Sequence, residues 1–306
     1  MVLNALMTGA LLSVQTVIPN KAILNLHYLD RTYTPSTACP GGQVRVSGPR
    51  FVEKGFNEEG LLGTAERAVG DGLSKTENHF CVSMNVLEKE REWGKSVYRT
   101  RVATGTKNEG TSFLVARNVI LTNNHIAVPL AKDPTDCRAV EVLTRTDHPQ
   151  WVGCKKILYC NAAYDFCFVE MKSVLPGVEL GDLSRPLRLN AAPIGDQNAY
   201  LIGNSGALGI QASEGPVTTN PETLKTGRVI PGKVIHYIPM IGGASGSPIL
   251  NESGEVIAIN HSHFAFDGQW NDYVDPNGDT FNIGTTMQTI FNDAGARLHV
   301  PSIVVR

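Results

Sequence analysis

Ser245 stands in a run of small residues, GGASGSP, between two apolar segments, HYIPMI and ILNESGEVIAIN. A serine hydroxyl becomes a useful nucleophile when a base takes its proton and a third group orients that base. Backbone N–H groups must also face the oxyanion that forms. Because glycines allow a tight turn that presents such amides, Ser245 is a candidate nucleophile. The N–H groups of Gly243 and Ser245 are candidate oxyanion donors.

A base and a carboxylate that could serve this serine lie upstream. His125 ends GTSFLVARNVILTNNH, a strand-and-turn pattern that would hold an imidazole rigidly and leave it reachable. Asp165 opens DFCFVEMK, whose apolar residues could bury a carboxylate at the end of a strand. The order along the chain is therefore His, Asp, Ser, and we predict that these three residues form a catalytic triad.

Each candidate also has a structural interpretation. GGASGSP could be a glycine-rich turn whose serine caps a strand, and a lone histidine is more often structural than catalytic. A second serine, Ser205 in IGNSGALG, has a similar setting but is not followed by proline and a strand. Other acids occur near Asp165 in hydrophilic, loop-like stretches; they are Asp133, Asp136 and Asp147.

The elements that would position these residues are short and β-rich. From about residue 76 onward, runs such as VYRTRVATG, DFCFVEMK and AYLIGN are separated by Gly, Pro, Asn and Asp. This spacing favours an all-β barrel or sandwich over alternating strands and helices. GTTMQTIFNDAG predicts one closing helix, with Thr285 or Thr286 as its cap and Gly295 as its stop. We interpret residues 1–75 as a leader plus propeptide or N-terminal extension, and residues 76–306 as the catalytic domain.

Three segments together resemble the motif blocks of the chymotrypsin-fold (trypsin-like) serine proteases: GTSFLVARNVILTNNH, YDFCFVEM and GGASGSPILNESGEVIAIN. The resemblance is greatest to the bacterial branch with the glutamyl endopeptidases and the high-temperature-requirement proteases. The order His, Asp, Ser is that of chymotrypsin, whereas subtilisins and α/β-hydrolases have other orders. The similarity extends over about residues 80 to 295.

The resemblance implies an all-β fold, a double β-barrel of chymotrypsin type with a C-terminal helix and an N-terminal extension. It also implies a role for each candidate residue. Ser245 would be the nucleophile, His125 the general base and then the acid, and Asp165 the buried partner that holds the imidazole tautomer. The N–H groups of Gly243 and Ser245 would form the oxyanion hole.

A substrate pocket is implied by the same resemblance. Residues 258–263 would line it, which places Asn260, His261 and His263 beside the substrate, and Met240 would stand near the opposite wall. His261 and His263 lie on one face of a regular strand and could hold zinc, but no third ligand is spaced nearby. We therefore expect pocket lining or strand packing for them, and no metal or cofactor.

Composition limits the partners and the compartment. A net charge of −2 gives no electrostatic footprint for nucleic acid, and no apolar run is long enough to span a membrane. Six cysteines without a CxxC pair favour disulfides over a zinc ribbon, but the alternative of scattered buried thiols stays open, and the pairing cannot be derived. The apolar N-terminus, MVLNALMTGALLSVQTV, is compatible with a signal peptide, although it lacks a basic start. We expect a secreted or periplasmic protein.

The function that we expect is that of a serine endopeptidase, which hydrolyses peptide bonds in protein or peptide substrates through an acyl-enzyme intermediate. Two alternatives remain. One is a protease-fold binding protein that has lost turnover, and the other is an esterase on the same scaffold. The oligomeric state cannot be derived from the sequence.

Overall fold

The structure is a computed structural model in which twelve stretches of the chain are described. They are residues 24–26, 31–35, 43–47, 79–102, 109–128, 140–146, 149–204, 210–219, 232–238, 240, 243–263 and 282–295. The predicted signal peptide, Ser205 and the alternative acids Asp133, Asp136 and Asp147 lie outside them. Within these stretches, no helix is long and apolar enough to cross a membrane.

The N-terminal part contributes a four-stranded antiparallel sheet and a helix. The strands pair in chain order and are β1 (Leu24–Leu26), β2 (Arg31–Pro35), β3 (Gln43–Ser47) and β4 (His79–Ser83). Helix α1 (Met84–Trp93) follows β4 directly. Because β4 pairs with β3, the sheet joins strands from both sides of residue 75, where we predicted the domain boundary.

The first barrel is closed and contains six antiparallel strands. They are β5 (Val97–Val102), β6 (Glu109–Ala116), β7 (Val119–Thr122), β8 (Val140–Leu143), β9 (Trp151–Asn161) and β10 (Phe166–Met171). Their spatial order is β10-β7-β6-β5-β8-β9, and β9 pairs with β10 to close the ring. Two short helices belong to its connections, α2 (Asn124–Ala127) after β7 and α3 (Leu180–Leu183) after β10.

The second barrel has the same strand number. A short strand, β11 (Arg188–Leu189), first joins it in parallel to β16. The ring consists of β12 (Gln197–Gly203), β13 (Gln211–Thr218), β14 (Lys233–His236), β15 (Pro248–Leu250), β16 (Glu255–His263) and β17 (Asn282–Thr286). Pairing of β16 with β17 closes it. The predicted all-β double barrel is thereby confirmed.

The predicted closing helix is also confirmed, as α4 (Met287–Ala294). Thr286 is its N-cap and accepts a hydrogen bond from the N–H of Thr289 at 3.2 Å, which satisfies one of the open amides of the first turn. Met287 and Ile290 face the core, as their spacing predicts, and Gly295 ends the helix.

The core explains why several strands are apolar at almost every position. In β6, Phe113 packs in the cluster shared with Tyr200 and Ile259 of the second barrel, whereas Leu114 packs inside the first barrel with Ile120. Successive side chains of a strand point to opposite faces, and here both faces are covered. A strand between the barrels is therefore apolar on both faces, which gives the run SFLVA instead of an alternating pattern.

A disulfide between Cys160 and Cys167 joins β9 to β10. The two residues are directly opposite in the strand register. The predicted preference for disulfides is confirmed for this pair. The bond closes a short ring around the loop that carries Asp165.

Helix α1 packs on the second barrel. The Trp93 ring meets Tyr200 edge-on at 5.8 Å between centroids, and the Asn85 side-chain amide donates to the Tyr200 hydroxyl at 2.7 Å. Gly254 has a φ of 74°, and a Cβ at this position would lie 2.5 Å from the Trp93 Nε1. The turn therefore needs glycine both for its backbone and for the contact with the helix.

This packing predicts a difference between two matched glycine variants. Gly177 has a similar φ of 82°, but a Cβ there would meet nothing within 4 Å. Gly177→Ala should lower the free energy of unfolding by about 1–2 kcal/mol through backbone strain alone. Gly254→Ala should lose a further ~1–3 kcal/mol because the methyl group displaces Trp93. Urea unfolding measures both values, and equal losses would mean that α1 does not pack on this turn.

Candidate active site

His125 and Asp165 meet at one end of the first barrel. His125 lies in α2, directly after β7, and Asp165 immediately precedes β10, which pairs with β7. The backbone N–H of His125 donates to Asp165 Oδ1 at 2.9 Å, and the ring Nδ1 lies 2.7 Å from Asp165 Oδ2. Both carboxylate oxygens therefore hold the same histidine, by its backbone and by its ring.

The backbone around Asp165 is unusual. Its φ is 58°, the only positive φ among the described residues other than glycine. The Asn123 side-chain amide donates to the Asp165 carbonyl at 2.8 Å and so holds this conformation from the start of α2. A non-glycine residue in the left-handed region is worth notice, and here it accompanies a carboxylate turned toward His125.

The Asp165 carboxylate is 7% exposed and still favours its charged form. Burial alone would raise the pKa of this carboxyl, but the hydrogen bond from His125 and the charges of His125 and His261 outweigh burial. The net pKa lies below the ordinary value. At neutral pH this residue is therefore an anion that can orient an imidazole.

The loop that carries Ser245 is fixed to both barrels. The N–H of Thr111, in β6, donates to the Ser245 carbonyl at 2.7 Å, and the Thr111 hydroxyl donates to the Gly243 carbonyl at 2.9 Å. From the second barrel, the Asn260 side-chain amide donates to the Ala244 carbonyl at 2.9 Å. These bonds hold the serine at the interface of the barrels, on the side where His125 and Asp165 lie.

Gly246 allows this loop to approach β6 closely. Its φ is 84°, and a Cβ here would lie 2.0 Å from the Thr111 carbonyl oxygen. No side chain can be placed at that distance, so the position requires glycine for both backbone and space. The glycine after the serine thus has a packing role at the barrel interface.

Three amides of this loop have no acceptor in the part of the chain that the structure describes: those of Gly243, Ala244 and Ser245. The N–H groups of Gly246 and Ser247, by contrast, donate to the carbonyls of Asn260 and Ala244, each at 3.0 Å. The open amides therefore include the two donors that the sequence assigned to an oxyanion hole, and the oxyanion hole itself stays a prediction.

The Ser245 hydroxyl donates to the backbone carbonyl of His261 at 3.2 Å. His125, whose side chain is 44% exposed, uses Nδ1 for Asp165, so its Nε2 remains for a partner on the exposed side. His261 bridges the two groups, because its carbonyl meets Ser245 and its Nε2 lies 3.3 Å from Asp165 Oδ2. The structure thus pairs His125 with Asp165 and links Ser245 to them through His261, and among the described residues no hydrogen bond joins Ser245 to His125.

The residues predicted to line a substrate pocket have different surroundings. Met240 is 4% exposed and packs in the core of the second barrel. Asn260 is fully buried, and its Oδ1 lies 3.0 Å from His236 Nε2. His261 faces Asp165, and the side chain of His263 is outside the described part. Their predicted place in a substrate pocket stays a prediction.

A β-bulge gives His261 its orientation. Asn260 is opposite Gly284 in β17 and Ser262 is opposite Ile283, so His261 is the extra residue of the pair. A bulge re-aims a side chain and breaks the alternation of a strand. Sequence reasoning placed His261 and His263 on one face of a regular strand, and the bulge is why it missed the contact with Asp165.

One group of potential metal ligands occurs among the described residues, formed by His125, Asp165 and His261. Two features oppose a cation at this place. The His125 Nδ1 and Asp165 Oδ2 are already engaged with each other at 2.7 Å, and the ammonium of Lys233 lies 3.2 Å from the His261 Nδ1. A positive charge so close would repel a divalent ion.

Lys233 is the member of the site that sequence reasoning missed. It opens β14 in the run KVIHY, where a lysine reads as an ordinary exposed strand end. It is instead 9% exposed and lies behind His261. Nothing in the local sequence signals this position, because the contact depends on three strands that meet in the closed barrel.

A comparison with known protein families gives a match that covers parts of both barrels. Residues 110–259 match the family described as the trypsin-like peptidase domain. No curated protein sequence matches the chain.

Two solved structures of the protease Rv3671c, both inactive forms, resemble the chain. One has 16% identity and a TM-score of 0.47, and covers 69% of this chain and 92% of that chain. The other is a serine-to-alanine mutant from M. tuberculosis H37Rv with the same identity and TM-score, and covers 70% and 90%.

The matched stretch contains His125, Asp165 and Ser245, and it extends across both barrels. The chain therefore has the chymotrypsin-like double-barrel fold, and residues 110–259 within it match the trypsin-like peptidase domain.

Proposed function

We propose that this domain is a serine endopeptidase that uses Ser245, His125 and Asp165. The observation that carries the proposal is the double hold of Asp165 on His125, at 2.9 Å to its backbone N–H and 2.7 Å to its ring Nδ1. This arrangement puts the Nδ1 proton toward the acid and leaves the Nε2 lone pair for the serine. It is the orientation that a general base requires.

The reaction would proceed in two halves. His125 Nε2 takes the Ser245 hydroxyl proton while Oγ bonds to the substrate carbonyl carbon, and the N–H groups of Gly243 and Ser245 stabilise the oxyanion. His125 then gives the proton to the leaving amine as the C–N bond breaks. Water, activated by the same imidazole, hydrolyses the acyl-enzyme and restores the serine.

The present hydrogen bond of Ser245 must change before this step. Its hydroxyl now donates to the His261 carbonyl at 3.2 Å, and attack requires the hydroxyl to donate to His125 Nε2 instead. Catalytic hydrogen bonds are often loose or misaligned without substrate and tighten in the complex. A substrate carbonyl that approaches the open amides of Gly243 and Ser245 would favour that exchange.

An extracytoplasmic location belongs to the same proposal. Its support is the Cys160–Cys167 disulfide, because such bonds persist in oxidising compartments and are rare in the cytosol. The two alternative functions lack a specific supporting observation: all three reactive side chains are present, and no described feature favours small esters over peptides.

The first prediction of the proposed function concerns the nucleophile. Ser245→Ala should abolish labelling by a fluorophosphonate probe, because the hydroxyl that attacks phosphorus is gone, while circular dichroism stays unchanged. Ser205→Ala, which removes the serine in the similar setting, should still be labelled in full. Intact-mass spectrometry measures both; labelling of Ser245→Ala at the wild-type rate would contradict the assignment.

The second prediction concerns pH. The rate of peptide hydrolysis should rise from acidic to neutral pH, because only the neutral imidazole of His125 can accept the serine proton. The measurement is kcat/KM against pH with a chromogenic peptide. A rate that stays flat over this range would exclude His125 as the base.

The third prediction follows from the lowered pKa of Asp165. A carboxylate whose folded pKa lies below its unfolded value of about 3.9 stabilises the protein above that pH, and this stabilisation is lost as pH falls through the folded pKa. Asp165→Asn lacks this contribution. Between pH 5 and 2, its free energy of unfolding should fall less than that of the wild type.

Urea unfolding at a series of pH values measures the difference between the two proteins. A second variant, Asp182→Asn, removes an exposed acid with its own lowered pKa, so its free energy of unfolding should also fall less than that of the wild type. A gap between wild type and Asp165→Asn that stays constant from pH 5 to 2 would mean that the folded protein does not favour the ionised acid.

A further inference from the structure

Asp165 is in contact with two imidazoles. Besides His125, the Nε2 of His261 lies 3.3 Å from the same oxygen, Oδ2. The two rings are 6.1 Å apart between centroids, with an angle of 32° between their planes. The proposed mechanism uses only the first of them, which leaves the second without an assigned task.

Lys233 determines which nitrogen of His261 carries the proton. Its Nζ lies 3.2 Å from the His261 Nδ1, and an ammonium group can only donate. The Nδ1 must therefore accept, so that in the neutral ring the proton lies on Nε2. That nitrogen lies 3.3 Å from Asp165 Oδ2, so the carboxylate lies next to an N–H group of the ring.

The same lysine holds the loop of Asp165 by its backbone. Its Nζ donates to the Tyr164 carbonyl at 3.2 Å and to the Thr285 hydroxyl at 2.8 Å. Thr285 in turn donates to the Tyr164 carbonyl at 2.6 Å. Two donors from the second barrel therefore form hydrogen bonds with the carbonyl of the residue directly before Asp165.

Three neighbouring strands of the second barrel supply these groups. Lys233 in β14 is directly opposite Thr285 in β17, and β17 pairs with β16, in which the bulge presents His261. All three side chains are largely buried, with His261 the most open at 17% exposed. The positive charge of Lys233 lies on the far side of the His261 ring from Asp165 and stabilises the buried negative charge of that carboxylate.

We propose that Lys233 and His261 form a positioning relay that orients Asp165 toward His125 from the second barrel. The inference rests on the proposed function, because the relay has a catalytic role only if the protein hydrolyses peptide bonds in that way. Neither residue contacts the reacting atoms with its side chain. They act through Asp165. They keep its carboxylate ionised and oriented toward His125 while His125 takes up and releases protons.

The test of the relay begins with the protonation state of His261. In ¹⁵N NMR of the histidine-labelled full chain, wild type should show the His261 proton on Nε2. Lys233→Met keeps the side-chain length without the donor, and the proton should then populate Nδ1 as well. Lys233→Arg keeps a donor and should retain the Nε2 form. A wild-type proton on Nδ1 would overturn the relay.

Kinetics test the role in catalysis. Lys233→Met and His261→Leu should lower kcat on the order of 10–100-fold, as loss of outer-shell partners does elsewhere, with KM within about twofold. His261→Gln should recover most of kcat, because its amide can accept from Lys233 and donate to Asp165. Lys155→Met, at an exposed lysine paired with Glu170, is the control and should match wild type.

The outcomes separate the two proposals. Unchanged kcat in both Lys233→Met and His261→Leu would refute the relay and leave the endopeptidase intact. If wild type neither turns over peptide nor reacts with a fluorophosphonate, the proposed function fails, and the catalytic task of the relay fails with it. If the variants lose kcat but His261→Gln is no better than His261→Leu, hydrogen bonding through residue 261 is excluded as the cause.

Discussion

The buried charge of Asp165 is the constraint on which the site depends. An isolated carboxylate in a protein interior is costly, so it must be paired and hydrogen-bonded. His125 satisfies it by backbone and ring, and His261 lies against the same oxygen. The positive φ of this residue shows how firmly its surroundings dictate its conformation. An anion held in this way can fix an imidazole in one tautomer.

Two barrels are needed because neither holds all the parts. The first supplies His125 and Asp165 from the ends of paired strands, and the second supplies the Ser245 loop. Hydrogen bonds from Thr111 to the Gly243 and Ser245 carbonyls join the two, and the absence of a side chain at Gly246 makes that approach possible. The shared apolar cluster behind the site keeps the barrels together.

The sequence predicted those parts of the site that local pattern controls. His125, Asp165 and Ser245 stand at strand ends or in a glycine-rich turn, and the all-β fold follows from short apolar runs. It could not predict Lys233 or the orientation of His261, because these depend on barrel closure and on a bulge that no residue type announces. The Cys160–Cys167 pair likewise follows from strand register, which spacing alone does not determine.

We infer that the barrel interface joins a serine, an imidazole and a buried acid, with the open amides of Gly243 and Ser245 at the serine. A crystal structure of the protein after reaction with a fluorophosphonate tests this most directly. We expect phosphorus bonded to Ser245 Oγ, and a phosphoryl oxygen within about 3.1 Å of the Gly243 and Ser245 nitrogens. An adduct on another residue, or an oxygen turned away from both amides, would exclude this arrangement.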